Sequence, residues 1–287
     1  LREITNAGTF VNAENCTYVG LVGGAIPNAS KGFMLRWGKI PLNNRQLVIV
    51  EELSGLSLEA ISNLSEVRSS GFARLDKGGL SSETYARTRL IFLSNVRGRN
   101  RTLASYISGV KAIQDLIGQG EDISRFDLIC TLTDREVSAD VINAPRSDKS
   151  FDILEADAFK LLVRFIWSLK PEQVEITKEA YLECLTQTKR IAKIYHPSIP
   201  LFKAGSGRLK IARIACAIAC FQFNWNGKKI MVEPSHMLAA TTLLQELYDK
   251  PSCGYRHYSE QMYHRETIDN EAALDAEVKA CLTGGKH

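Results

Sequence analysis

The sequence predicts an α/β fold: a parallel sheet with β-hairpin insertions, followed by a helical half. Three observations carry this. Arg45 to Leu56 contains Leu47-Val48-Ile49-Val50, a β-branched run without polar alternation, as suits a central strand covered on both faces. Ala86 to Asn95 holds a second buried-strand pattern, ending in an amide where the first ends in Glu51 and Glu52. Beyond Ala144-Pro145-Arg146-Ser147-Asp148-Lys149-Ser150, a polar linker, the apolar spacing becomes helical throughout. The divisions expected are 1–147, 148–250 and a tail, 251–287.

Taken in order, Leu1-Arg2-Glu3-Ile4 carries no starting methionine and reads like a chain cut from something longer. Glycines between Tyr18 and Gly24, and turn formers from Ala25 to Gly32, fit either a hairpin with its tip near Asn28 to Gly32 or an ordinary connecting loop. Leu58, Ile61, Leu64 and Val67 mark an amphipathic helix packed on the sheet. Gly71 to Leu80 alternates and turns at Asp76-Lys77-Gly78-Gly79, a hairpin with a lysine at its tip. Val96 to Arg101 reads as a basic, flexible loop, followed by a helix from about Thr102 to Ile117 and an apolar strand from Ile123 to near Thr133.

In the second half, Phe159, Leu162, Val163, Ile166 and Leu169 mark a helix stopped before Pro171, and Ala180 to Tyr195 another ended by His196-Pro197. Gly205-Ser206-Gly207-Arg208 precedes an apolar helix, Leu209 to Phe223, and Pro234-Ser235 caps a last long helix to about Tyr248. Cys216 and Cys220 read as small core residues, and His236, with no nearby base or metal partner in sequence, as structural. The aromatic stretch Gly254 to Tyr258 packs on something or leads onward, and the alanine-rich segment from Glu271 could be one more helix.

With 287 residues, 45% of them hydrophobic, the chain can bury a sizeable core, and a net charge of +4 permits contact with nucleic acid without arguing for it. The seven cysteines form no C-x-x-C pair and no His/Cys cluster at metal spacing, so reduced thiols, without disulfide or zinc, are expected in a cytoplasmic protein. No apolar run reaches the roughly 18 residues that span a bilayer, and no export signal is visible, so no membrane partner is expected.

Ligands of open α/β sheets collect beyond the carboxyl ends of the strands, where Glu51 and Glu52 would stand; a strand ending in solvated acids is the plain alternative. Successive side chains on a strand face opposite ways, which would let the two acids take different tasks.

Together these pieces resemble the ATPase module of the minichromosome-maintenance (MCM) helicases of the AAA+ superfamily, particularly their bacterial mobile-element relatives. Val48 to Glu52 (VIVEE) stands where the family's Walker B strand ends in Asp-Glu. Ala73 to Leu80 (ARLDKGGL) is similar to its pre-sensor hairpin, Ala86 to Asn95 (ARTRLIFLSN) to its sensor 1 strand, and Ser124 to Leu128 (SRFDL) matches its arginine-finger segment unaltered. Gly20-Leu21-Val22-Gly23 looks like the segment before the family's helix-2 insert hairpin. The resemblance covers roughly Gly20 to Tyr248 and weakens in the helical part. It implies a partial AAA+ core with an all-α lid, ATP and Mg²⁺ as ligands, single-stranded or forked DNA as partner, and self-association into a ring, by analogy a hexamer.

It also implies roles. Glu52 would orient or deprotonate the attacking water, Glu51 would hold Mg²⁺, and Asn95 would be sensor 1. Arg125 would reach the neighbouring subunit's nucleotide. Arg208 would be sensor 2, with Arg213 as fallback, and Lys77 and Lys31 would touch the DNA backbone. Two departures stand out: Glu51 replaces the usual Asp, and no G-x-x-x-x-G-K-[ST] occurs, so the phosphate-cradling loop is expected upstream of Leu1. A chelatase or MoxR-like remodelling ATPase, and a non-catalytic oligomerisation or DNA-binding module, are the alternatives.

Overall fold

The structure is a computed structural model that describes residues 8–28, 32–77, 79–98, 100–133, 136–144 and 153–283. The chain opens on β1 (Thr9–Asn12), passes a short helix α1 (Tyr18–Leu21), and forms the antiparallel hairpin β2 (Gly23–Asn28) and β3 (Gly32–Trp37). After α2 (Lys39–Leu42) comes β4 (Leu47–Glu51), whose first four residues are all buried. A parallel sheet in the order β1-β4-β7 places β4 at its centre, with β7 spanning Arg89–Phe92. Asn12 pairs with Glu51, and Val50 with Phe92. Burial from both faces explains the unbroken apolar run, each such side chain contributing about 1.5–3 kcal/mol.

Helix α3 (Leu58–Ser70) is capped by Ser57, whose hydroxyl accepts from the Ala60 amide at 3.1 Å, and it ends at Gly71 in the left-handed region (φ 71°) that glycine adopts freely. Ile61, Leu64 and Val67 are buried, while Leu58 is 47% exposed. The second hairpin pairs β5 (Phe72–Lys77) with β6 (Leu80–Tyr85), and Lys77 opposite Leu80 places the lysine at the turn. The two hairpins touch: a Cβ on Gly23 would stand 3.0 Å from Leu75.

Between sheet and helices, the structure departs from expectation. Of the helix expected from Thr102, only Gly109–Ile117 is α-helical (α4); a single 3-10 turn at Leu103–Ser105, with Thr102 at its N-cap, precedes it. Gly109 starts it because any side chain there would strike the Ser252 carbonyl, against which the backbone is pressed. The strand expected over Ile123 to Thr133 is absent: α5 (Gly120–Ser124) runs into a turn at Arg125 and then irregular chain. Ile123 is fully buried against the core and Leu132 is 70% exposed, so the apolar run splits between interior and surface. The short α6 (Ala139–Asn143) precedes the expected linker, which from 145 onward lies outside the described residues.

The helical half comprises α7 (Ile153–Ser168), α8 (Lys178–Ala192), α9 (Ala204–Phe221), α10 (Pro234–Asp249) and α11 (Tyr255–Thr283). It is not all-α: β8 (Val174–Ile176) and β9 (Ile230–Val232) form a parallel pair. At three residues each they are too short to separate from loop in the sequence. The glycines at 205 and 207 lie inside α9, with Gly207 packed against the Phe202 ring. His236 closes a capping box, its Nδ1 accepting from the Glu233 amide at 2.9 Å. α10 is not the last helix, since the aromatic stretch opens the 29-residue α11. Tyr255 is fully buried and stacked on Tyr195 at 4.7 Å. A single cluster of buried residues runs from Val11 to Tyr258, so sheet and helices share one hydrophobic core.

Candidate functional site

The first constellation sits at the carboxyl edge of the sheet. β4 leaves the sheet at exposed Glu51, and Glu52 follows in the left-handed region (φ 54°, ψ 51°), an uncommon conformation for a side chain with a Cβ. The turn is held from both sides. Leu53 is buried and its amide donates to the Leu93 carbonyl at 3.2 Å, while the Ser54 amide donates to Ser94 Oγ at 2.9 Å. The loops after β4 and β7 are thereby laced together, which brings Glu51, Glu52 and Asn95 to one edge. Asn95 is exposed and lies three residues past the end of β7, not on the strand as expected, because β7 ends at Phe92.

Arg97 acts as a clamp on these loops. Its Nη1 donates to the Ser54 carbonyl at 2.8 Å and its Nε to the Leu116 carbonyl at 3.0 Å, and burial pulls its pKa down. At this position the expected flexible basic loop is instead an anchored one.

The second constellation lies at the other end of α3. An open cavity of about 440 Å³ is walled by α3 (Arg68, Ser69), by α5 and its exit (Glu121, Ser124, Arg125, Asp127), and by Lys203 and α9 (Gly205, Ser206, Leu209, Lys210, Arg213). Arg125 is half-buried, with Nη1 donating to the Ser65 carbonyl of its own chain at 2.7 Å. Behind it, Arg68 and Asp122 form an ion pair at 3.2 Å with both side chains buried, and Ser65 also bonds Asp122. Burial lowers the Arg68 pKa to about 10, opposed by Asp122 and assisted by Arg125. Lys203 pairs with Glu121 at 2.8 Å, and its hydrogen bond holds that carboxyl below the usual range.

Ser206, Leu209, Lys210 and Arg213 follow i, i+3, i+4, i+7 spacing and form one face of α9 toward the cavity. Arg213 pairs with Asp127 at 3.2 Å. Arg208 is off this face, exposed, with its carbonyl accepting from the Cys184 thiol at 3.4 Å. The structure thus groups Arg213, not Arg208, with Arg125. Lys77 stands at the β5–β6 turn, and Lys31 lies outside the described residues.

Sequence reasoning missed Arg68, Asp122, Asp127 and Lys210. The signal for two of them was a charge on an apolar face: Arg68 continues Ile61 and Leu64, and Lys210 sits between Gly207 and Ile214, all buried. Among the described residues no group of three or more His, Cys, Asp or Glu could hold a metal, and no helix is long and apolar enough to cross a membrane. No protein-family model and no curated protein matches this chain.

Proposed function

We propose that this chain is the C-terminal part of an MCM-like AAA+ ATPase that hydrolyses ATP between subunits of a ring to translocate on single-stranded DNA. The observation that carries the reading is the division of the two constellations. Acids and amide gather at the carboxyl edge near the start of α3. The arginines gather near its end, 11 residues on from Ser57 to Arg68, or about 17 Å along the axis. A group at one end does not reach a phosphate bound at the other within one chain. Between two copies, the edge of one can face the cavity of the next, as a head-to-tail ring requires.

In this reading Glu52 orients or deprotonates the attacking water, Asn95 fixes that water or the terminal phosphate, and Arg125 and Arg213 of the neighbouring copy neutralise charge as the phosphoryl group transfers. Mg²⁺ fits the edge, since it needs only one or two carboxylates beside waters and phosphates, and exposed Glu51 can supply one. When bound, the ion would offset phosphate charge. Lys77, at the β5–β6 turn, and Lys31 would contact the DNA backbone independently of base sequence.

The test is Glu52→Gln in the complete protein, with ATP hydrolysis measured with and without single-stranded DNA. Loss of DNA-stimulated hydrolysis with nucleotide binding retained is expected; full activity would overturn the reading. The non-catalytic alternative draws on the missing phosphate-loop motif, and it predicts no hydrolysis by either protein.

A further inference from the structure

The cavity at the end of α3 contains a cation that the resemblance leaves without a role. Lys210 is 6% exposed, and its ammonium has one hydrogen bond, to the Leu201 carbonyl. No carboxylate lies within ion-pair distance of it among the described residues, and Asp127, the acid acting on it, is engaged by Arg213. Burying an ammonium without a counter-ion costs several kcal/mol, so the fold alone gives no reason to keep it.

Charge balance around the cavity sharpens the point. Arg68, Lys203 and Arg213 each have a carboxylate partner, in Asp122, Glu121 and Asp127. Among the described residues Arg125 and Lys210 hydrogen-bond only to backbone carbonyls, of Ser65 and Leu201, with Glu121 and Asp127 acting on them from beyond ion-pair distance. Five cations against three carboxylates leave the cavity with an excess of two positive charges, the complement of a dianion. Arg213 is 63% exposed, so it can leave Asp127 for a ligand without unpacking the core.

We propose that this cavity binds a terminal, doubly charged phosphoryl group, with Lys210 as a direct ligand beside Arg125. The inference deepens the functional reading and rests on it only for the natural source of that group, a nucleotide held by the next copy. A phosphodiester carries one charge per phosphate and matches the site less well than a chain end.

Tripolyphosphate and a single-stranded oligonucleotide, titrated calorimetrically into this chain at low salt, test the proposal without hydrolysis, so it and the Glu52 experiment can fail separately. Tripolyphosphate is expected to bind, about tenfold more weakly to Lys210→Met and near wild-type strength to Lys210→Arg. Thermal melting controls for folding, since Lys210→Met removes a buried charge and should melt no lower than wild type. Equal binding by Lys210→Met, or no binding by wild type, overturns the proposal. So does Lys210-dependent binding of the oligonucleotide alone.

Discussion

The two ends of α3 are built on opposite principles. At the sheet edge, Glu51 and Asn95 stand exposed on loops joined through backbone amides, and Glu52 sits in a strained backbone conformation. At the cavity, Arg68 and Asp122 are buried against each other and Lys210 is buried with only a carbonyl for company. Chemistry that is free to move costs the fold little; charge held in place within the protein costs it a great deal. The comparison teaches that the cavity's charges are fixed by burial, whereas the edge is fixed through its backbone.

The largest effect should come from Asp122→Ala, which strands the Arg68 guanidinium in the interior. A loss of about 3–5 kcal/mol is expected in urea denaturation, with much of it recovered in the Arg68→Met/Asp122→Leu double variant. A loss below about 1 kcal/mol would mean the pair is open to water.

Next comes Lys210, whose pKa burial lowers to about 8 from 10.5. The unfolded chain therefore binds the extra proton between those values, so stability rises with pH across that window, and the penalty is fully present below about 8. Relative to Lys210→Met, wild type should gain up to roughly 3 kcal/mol from pH 8 to 10.5. A flat difference would place the ammonium in solvent.

The sheet edge should respond least. Glu52→Gly should raise stability by up to about 1 kcal/mol by relieving the left-handed backbone, while Glu51→Gln and Asn95→Ala should stay within about 0.5 kcal/mol. Thermal melting distinguishes these, and a large loss at Asn95 would show the edge to be structural.

The same contrast explains what could be read from the sequence. β4, the β5–β6 hairpin and α3 announce themselves through local patterns of apolar residues, turn formers and caps, whereas the turn formers before Gly32 fit a loop as well as the β2–β3 hairpin. The cavity was not legible, because Ser65 meets Arg125 and Asp127 meets Arg213 across long stretches of chain. The late start of α4 depends on Ser252, far along the sequence, and the run from Ile123 divides because only part of it faces the core. Arg208 and Arg213 are similar in sequence, and only helix phase separates them.

The central claim is that edge and cavity form one site completed between two copies. Mixing Glu52→Gln and Arg125→Ala forms of the complete protein tests it most directly, each form being inactive alone. Random assembly leaves about a quarter of the interfaces with an intact acid from one copy and an intact arginine from the next, so ATP hydrolysis should reappear on mixing. Continued inactivity in assemblies shown to have exchanged subunits would contradict the account.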